Sequence, residues 1–452
     1  MIRTLDARAL GLETVVRQLA RPPAEVAPEV RRAVDEILAA VRARGDAALL
    51  ELTAKFDGFA PPSAVELQIG REEFDVAERG LTGAARAALH YAAERIERYH
   101  AAAMPKSWRI TDEHGSVLGQ EVRPLDRVGV YVPGGRAPYP STVLMTVVPA
   151  RVAGVREIVL VTPPGRDGRV EPTVLAAARV AGVTEGYRVG GAQAVAALAY
   201  GTATIRRVDK IVGPGNIYVA LAKSRVFGEV GIDMVAGPSE VVVVADEGAD
   251  PEWIAADLLA QAEHDPMARA VLITDAGALP PRVEAALARR LERLPRRAIA
   301  AEALAANGAL ILTGSLDEAV ELVNRLAPEH LELLVAAPEA LLGRVRHAGA
   351  VFLGGCTPEV VGDYVAGPNH VLPTAGTARF SSPLGTEDFV KRSSVIDYSR
   401  RGLEAALPHL QTLTGLEGLD GHRAAAEIRT ARSESPNVGR AGAPTAKGEP
   451  GT

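Results

Sequence analysis

Two patterns of apolar and polar positions divide the chain. Residues 1–110 carry apolar residues at helical spacing, as in PEVRRAVDEILAAVRARG and LTGAARAALHYAAERIERYH, which predicts amphipathic helices packed on a larger body. From about residue 120, short β-branched runs that end in glycine alternate with helical stretches, as in RVGVYVPGG, REIVLVTPPG and KIVGPGNIYVALAKSRVF. This alternation is typical of βαβ units and predicts parallel sheets.

The alternation of strand and helix begins again after residue 235. SEVVVVADEGADPEWIAADLLAQAEH predicts a strand, a turn and a helix with Pro251 in its first turn, and Ser315 with Glu318 predicts a capping box. We therefore predict an α/β protein with two Rossmann-like parallel-sheet domains, N-terminal helices and a helical C-terminal extension. The expected parts are an N-terminal helical region 1–110, a first α/β domain 111–235, a second α/β domain 236–385, the C-terminal helical extension 386–430 and a disordered Pro/Gly/Ser/Ala-rich tail 431–452.

Composition narrows the class of protein. The 452-residue chain has a net charge of −6 and no dense Lys/Arg run, so we expect no nucleic-acid partner. No apolar stretch approaches the ~18 residues of a membrane span, and the charged N-terminus does not resemble a signal peptide. The single cysteine, Cys356, excludes an internal disulfide and a cysteine-cluster zinc site and favours a cytoplasmic location. We expect Cys356 to be a small buried residue without a catalytic role.

Three glycine-bearing turns follow predicted strands. They are YVPGGRAPYPST (131–142), VGGAQAV (189–195) and VGPGNIYV (212–219). Glycine lets the backbone approach a phosphate closely, and a helix start directs N–H groups at an anion. Any strand-to-helix turn can need glycine, however, and Gly213 with Gly215 gives only the first half of G-x-G-x-x-G. The pattern alone leaves dinucleotide binding and a structural role both open.

Two stretches carry candidate metal or ligand residues. Gln261 and His264 in QAEHDP are three apart on a predicted helix and share one face, as half of a metal site or as an ordinary helix C-terminus would. Asp363 and His370 in GDYVAGPNHVLPT fall in a predicted rigid loop after the strand GAVFLGG. Such loops bind ligands in α/β sheets, although an Asx turn beside a surface histidine is the simpler alternative.

Two further stretches pair a glutamate with a histidine. Glu329 and His330 in APEHLEL follow a predicted capped helix. A carboxylate and an imidazole there could divide proton transfer between them, or be two solvated loop residues. Glu417 and His422 in GLEGLDGH are, taken alone, surface charges at a helix boundary.

Together these stretches resemble the histidinol dehydrogenase family. The similarity is carried, in order and spacing, by VYVPGG, VGGAQAVAALAYGT, VGPGNIYV, AGPSE, QAEHDP, APEHLEL, GDYVAGPNHVLPT, FSSPL, DFVKRSS and EGLDGH, and covers about residues 5–430. It implies a homodimeric enzyme that oxidises L-histidinol to L-histidine through histidinaldehyde, the last step of histidine biosynthesis, with two NAD+ reduced and one Zn2+ per subunit. The alternatives are a paralogous zinc- and NAD-dependent dehydrogenase of another polar alcohol and, less compatible with an intact Glu-His pair, a non-catalytic nucleotide- or metal-binding protein.

The resemblance also implies a role for each candidate residue. The acid/base pair would be Glu329 and His330. The zinc ligands, which would also contact the substrate, would be Gln261, His264, Asp363 and His422. Further substrate contacts would come from Ser239, His330, His370 and Glu417, with Glu417 and His422 reaching the active site of the other subunit. The NAD site would be lined by Tyr131, Gln193 and Asn216.

The chemistry of such a reaction agrees with these roles. A four-electron oxidation needs two hydride transfers to a nicotinamide, a base for the alcohol proton and a base that activates water. We assign His330 to the alcohol proton and Glu329 to the water. A zinc ion whose shell is completed by substrate nitrogens would orient the substrate and leave no place for a catalytic water.

Overall fold

The computed structural model describes residues 2–19, 27–134, 138–235 and 237–431. The chain divides into two compact units, one formed by Met1–Pro105 with Pro124–Lys391 and the other by Lys106–Arg123 with Arg392–Thr452. The predicted disordered tail, apart from its first residue, lies outside the described residues. Within them, no helix combines the length and the apolar character that crossing a membrane requires.

The strands of the described residues are short and fall into three sheets. In chain order they are β1 Arg3–Asp6, β2 Gln68–Ile69, β3 Trp108–Thr111, β4 Val117–Pro124, β5 Arg127–Tyr131, β6 Glu157–Thr162, β7 Glu185–Arg188, β8 Lys210–Val212, β9 Gly231–Ile232, β10 Glu240–Ala245, β11 Arg269–Thr274, β12 Ala309–Leu312, β13 His330–Leu334, β14 Ala350–Leu353 and β15 Val390–Asp397.

The helices alternate with these strands through most of the chain. In chain order they are α1 Ala7–Leu10, α2 Leu12–Leu19, α3 Pro28–Arg44, α4 Asp46–Phe56, α5 Arg71–Arg79, α6 Gly83–Ala102, α7 Pro140–Val152, α8 Pro172–Ala181, α9 Gly191–Tyr200, α10 Ile217–Val226, α11 Pro251–Ala262, α12 Leu279–Leu291, α13 Arg297–Asn307, α14 Leu316–Leu326, α15 Pro338–Leu342, α16 Glu359–Tyr364, α17 Arg400–Glu417 and α18 Asp420–Ala431. Short 3₁₀ helices span Ala64–Leu67, Thr377–Arg379 and Thr386–Phe389.

The first parallel sheet has the strand order β2-β7-β6-β5-β8-β9, with only the edge pair β2–β7 antiparallel. The chain order reverses between β5 and β8, which is the position where open α/β sheets bind ligands. Val128 and Val130 of β5 pack in the core on one face, and Val159 and Val161 of β6 pack in the core on the other. Helices therefore cover both faces, as the continuous apolar runs predict.

The second sheet has the order β1-β12-β11-β10-β13-β14 and is parallel throughout. Every residue of β10 and β11 is buried, because separate apolar cores cover the two faces. The predicted α/β class with two parallel-sheet regions is thus confirmed. Pro251 begins α11, and Ser315 caps α14, while the carboxylate of Glu318 accepts from Gly314 N at 2.8 Å instead of from the cap residue.

Both ends of the chain contain strands that the helical pattern does not predict. The N-terminal region adds β1 to the second sheet, and the extension contains β15, which joins a three-stranded sheet of order β15-β4-β3. Most of β15 is exposed, so burial imposes no alternation of apolar and polar residues on it. The predicted helices follow as α17 and α18, joined where Arg400 donates to the carbonyl of Thr430.

Candidate active site

Glu329 and His330 lie where α14 leads into the second sheet. Ala327 ends α14 with a left-handed φ of 50°, and His330 begins β13 opposite Val241 of β10. Both side chains are buried, so the alternative of two solvated loop residues is wrong. Because β13 pairs with β10, Glu329 and His330 lie beside the first residues of β10, a strand that begins directly after Ser239.

The backbone of Glu240 contacts both members of this pair. Its N–H donates to Oε2 of Glu329 at 2.9 Å, and its carbonyl oxygen lies 3.1 Å from Nδ1 of His330. Because a carbonyl only accepts, Nδ1 carries the proton and the lone pair of Nε2 is free. Nε2 has no hydrogen-bond partner among the described residues and lies 3.8 Å from Oδ1 of Asp363.

Burial displaces the pKa values of the pair in opposite directions. It lowers the pKa of His330 to about 4, with smaller contributions from His370 and His264. It raises the pKa of Glu329 well above its usual range, against the Glu240 N–H bond and with help from the Asp363 carboxylate. His330 is therefore neutral near pH 7, and Glu329 becomes a strong base when it ionises.

Asp363 lies on α16 and not in the loop that the sequence predicts. Pro358 precedes α16 in an extended conformation, and the helix places Glu359 and Asp363 four residues apart on one side. One ligand atom from each of His330, Glu359 and Asp363 lies within 4.8 Å of the others. The sequence analysis does not include Glu359 among the site residues, although two acidic residues four apart after Pro358 could have indicated a helix that carries both. Burial raises the pKa of Asp363 to about 6.

Gln261 and His264 are adjacent, but the prediction that one helix carries both is wrong. The helix ends at Ala262, and His264 follows in a turn, where its N–H donates to the carbonyl of Gln261 at 3.3 Å. Gln261 is fully buried, and neither atom of its amide has a partner among the described residues. His264 is exposed, and its charge makes a small contribution to the lowered pKa values of both His330 and His370.

His370 and Ser239 border the same region. His370 donates from Nδ1 to the carbonyl of Asp363 at 2.9 Å, and its Nε2 is 3.4 Å from the hydroxyl of Thr142. A cavity of about 430 Å³ is lined by His330, Asp363 and His370. Ser239 immediately precedes β10 and is half-buried.

Three further residues singled out in the sequence lie at a helix end, in the first turn of a helix and in a turn. Glu417 ends α17 and His422 lies in the first turn of α18, both exposed in the second compact unit. Cys356 is exposed, so the expectation that it is buried is wrong. It occupies the turn between β14 and α16, where the chain leaves the sheet, and a turn at the surface leaves the thiol uncovered.

The three glycine turns meet at the carboxyl end of β5. The hydroxyl of Tyr131 accepts from the N–H of Gly191 at 3.1 Å, which joins the first turn to the second. Gly213 has a φ of +110°, and a Cβ there would come within 2.1 Å of the carbonyl oxygen of Tyr131. Residues 135–137 of the first turn lie outside the described residues. The close approach of Gly213 to the carbonyl oxygen of Tyr131 explains why the third turn requires glycine.

The predicted NAD residues take distinct positions in these turns. Tyr131 is buried, which raises its pKa to about 12 and keeps its hydroxyl protonated. Gln193 is buried in α9, and its Nε2 has no partner within the described part of the chain. Asn216 is exposed and caps α10, where its Oδ1 accepts from the backbone N–H groups of Tyr218 and Val219.

Comparison with known proteins identifies the family of this chain. The sequence model described as histidinol dehydrogenase matches residues 20–430. The chain belongs to the histidinol dehydrogenase family. It is 56% identical over 406 residues to the histidinol dehydrogenase of Geobacillus kaustophilus, covering 90% of this chain and 95% of that protein. It is 51% identical over 429 residues to that of Geobacter sulfurreducens, covering 95% and 100%.

A solved histidinol dehydrogenase has the same fold. The crystal structure from Elizabethkingia anophelis matches with a TM-score of 0.90 and 34% identity, over 95% of this chain and 98% of that one. Membership in the histidinol dehydrogenase family confirms the resemblance seen in the sequence. The chain is therefore an oxidoreductase of histidine biosynthesis.

Proposed function

We propose that the protein oxidises L-histidinol to L-histidine through histidinaldehyde, reducing two NAD+, in the cytoplasm. The observation that carries this proposal is the buried Glu329–His330 pair. One member is neutral with a free Nε2, the other is a carboxyl group of raised pKa, and the backbone of Glu240 holds both. Two bases of different kinds suit an oxidation that proceeds in two steps.

The first step removes a proton and a hydride from the primary alcohol. Nε2 of His330 takes the hydroxyl proton, because its lone pair is free and burial keeps the ring neutral. NAD+, when bound, supplies the hydride acceptor for both steps. The meeting of the three glycine turns at Tyr131 supports a coenzyme site beside Gln193 and Asn216.

The second step adds water to the aldehyde and removes a second hydride. Glu329 takes a proton from the water as its oxygen bonds to the aldehyde carbon. Its raised pKa makes the ionised carboxylate a stronger base than an exposed glutamate. The carboxylic acid product then loses its proton. In total, alcohol, water and two NAD+ give carboxylate, two NADH and three protons.

The donor set fits a zinc ion. Gln261 presents a buried amide that has no partner among the described residues, His264 adds an imidazole in the turn that follows it, and Asp363 adds a carboxylate beside His330. We propose these three as ligands, with the partner subunit's His422 as the fourth and Glu417 reaching the substrate of the neighbouring site. The ion would orient the substrate by binding the imidazole and amino nitrogens of the substrate, while Ser239 and His370 would contact the substrate directly.

The test is NADH production with purified protein. L-histidinol should yield two NADH per L-histidine, whereas other amino alcohols should yield far less. Equal turnover of another polar alcohol would favour a paralogous dehydrogenase, and one NADH per substrate would exclude the second step.

Metal removal tests the role of the zinc. A sample treated with chelator should no longer bind L-histidinol in a calorimetric titration, and stoichiometric Zn2+ should restore binding. Undiminished histidinol binding by the metal-free protein would contradict an orienting role for the ion.

A further inference from the structure

A buried ion pair holds the third glycine turn. Lys223 on α10 pairs with Asp233, which follows β9, and the two side chains are only 3% and 1% exposed. Both charged groups bind the backbone of the same residue. Nζ of Lys223 donates to the carbonyl of Gly213 at 2.8 Å, and Oδ2 of Asp233 accepts from the N–H of Gly213 at 2.7 Å.

The two hydrogen bonds hold Gly213 from two directions. Lys223 lies about two turns into α10, the helix that the turn leads into, whereas Asp233 comes from the neighbouring edge of the sheet. The second oxygen of Asp233 also accepts from the N–H of Met234 at 2.6 Å. Gly213 has a φ of +110°, which glycine adopts readily, and both of its backbone polar groups have charged partners.

Stability alone gives a weak reason for such a pair. Removing two charges from water costs about as much free energy as their attraction returns, and a pair of apolar residues of similar size often stabilises the fold equally well. The pair is instead connected to the turn that approaches Tyr131 and leads to Asn216. Its hydrogen bonds determine where that turn lies.

We propose that Lys223 and Asp233 are positioning residues for the coenzyme, which act by holding the Gly213–Asn216 turn in its NAD-binding conformation. The inference rests on the proposed use of NAD+. Neither side chain touches the coenzyme in this proposal, because both are enclosed behind the turn. Loss of the pair should therefore weaken NAD+ binding while leaving the histidinol site intact.

The experiment compares Lys223→Met with a matched control, Lys210→Met. Lys210 lies at the opposite end of β8 and forms another Lys–Asp pair, with Nζ 2.9 Å from Oδ1 of Asp388 and 2.7 Å from its carbonyl oxygen. Lys223→Met should raise the Kd for NAD+ about 10-fold or more, with the KM for histidinol unchanged. Lys210→Met should lower Tm without changing the Kd for NAD+.

Two additional variants keep the test decisive. Lys223→Arg retains a charged donor and should bind NAD+ within about 3-fold of the wild type. If Lys223→Met does not fold because it leaves the charge of Asp233 buried and unpaired, the double variant Lys223→Met with Asp233→Asn, which removes both charges, takes its place in the test. Normal NAD+ affinity in the folded variant, with a loss of Tm like that of Lys210→Met, would overturn the positioning role. Failure of the wild type itself to bind NAD+ would instead overturn the proposed coenzyme, on which this role depends.

Discussion

At the scale of single residues, the proposed catalytic pair owes its geometry to the backbone of a third residue. Glu240 orients Glu329 through its N–H and His330 through its carbonyl. Its own side chain points to Arg269 and to the N–H of Ala375, so it is fixed without entering the reaction. The two bases are consequently held at a set position relative to each other, which suits a division of labour between them.

Two variants test this division. His330→Asn removes the base for the alcohol proton and should reduce oxidation of histidinol by about 10²–10⁴-fold. Glu329→Gln should chiefly stop oxidation of supplied histidinaldehyde, because it cannot accept a proton from water. Steady-state NADH formation from each substrate measures both half-reactions. Equal losses of the two half-reactions in both variants would show that the assignments are wrong.

His100 makes a separate prediction about pH and stability. It is buried on α6 with no partner for either ring nitrogen in the described residues, and burial lowers its pKa to about 4. The unfolded chain, with a pKa of ~6.5, therefore binds a proton between pH 6.5 and 4 that the folded chain does not. The contribution of His100 to stability is complete above about pH 6.5 and falls by roughly 1.4 kcal/mol per pH unit as the pH drops toward 4.

Replacing His100 should make the stability less dependent on pH. Tm between pH 7 and 4.5 should decline less steeply in His100→Leu than in the wild type, although other buried histidines leave some slope. The control is His90→Leu on the exposed side of the same helix, which should keep the wild-type slope. An unchanged slope in His100→Leu would mean that this imidazole is protonated in the folded protein.

At the scale of elements, the site depends on how strands end and helices begin. The turn after β8 comes so close to β5 that only glycine fits at Gly213. Gly228 offers a comparison, since it has a similar φ of +103° but open space around its missing side chain. Substituting the two glycines therefore distinguishes the effect of backbone strain, which both positions share, from the effect of a steric clash, which arises only at Gly213.

Gly213→Ala should be far more damaging than Gly228→Ala. Both variants incur the strain of a left-handed alanine, about 1–3 kcal/mol, but only the first also drives a methyl group into the carbonyl of Tyr131. Gly213→Ala should therefore lower Tm further and weaken NAD+ binding, whereas Gly228→Ala should retain it. Thermal melts and NAD+ titrations of the two variants provide the comparison, and equal effects would contradict a tight turn.

The sequence predicts these elements unevenly, for physical reasons. Fully buried strands such as β10 stand out because every position after Glu240 is apolar, and long helices such as α3 show the helical spacing of their apolar residues. By contrast, β1 has four residues, and β15 is exposed, so neither carries a pattern that burial would impose. Short elements also displace site residues, as when α16 takes up Asp363 from a predicted loop.

The predicted site residues divide in the same way. Glu329 and His330 are neighbours in the chain, and Gln261 and His264 lie close together at the end of α11, so the sequence alone indicates each of these two pairs. The approach of Asp363 to His330 depends on α16. Glu359 and the Glu240 backbone escape prediction. Glu359 reaches the site only because α16 forms, and the sequence does not predict that helix. A contact through the main chain of Glu240 can be made by any residue type, so the sequence does not reveal it.

At the scale of the whole molecule, the proposed zinc shell requires two chains. Glu417 and His422 belong to the second compact unit and are exposed there, next to the exposed apolar residues Leu413, Leu416 and Leu419. Exposed apolar side chains of this size are common at interfaces between subunits. A shared site would make activity a property of the pair of chains.

Mixing variants tests the shared site. The His330→Asn and His422→Asn proteins should each be inactive, but dissociating and reassociating an equal mixture should restore roughly a quarter of the wild-type activity. Half of the dimers are then mixed, and each has one intact site. A mixture of His330→Asn with Asp363→Asn is the control and should stay inactive, since both defects lie in the same half of the site. Inactivity of the first mixture would mean that each chain uses its own His422.

The exposed position of Cys356 has a practical consequence. It is the one cysteine in the sequence, and it sits on the connection that leads into the helix bearing Glu359 and Asp363. A thiol-reactive fluorophore would label the unaltered protein at a single known place, within a few residues of the proposed metal site. The natural sequence thus already contains an attachment point from which ion and substrate binding can be followed by fluorescence.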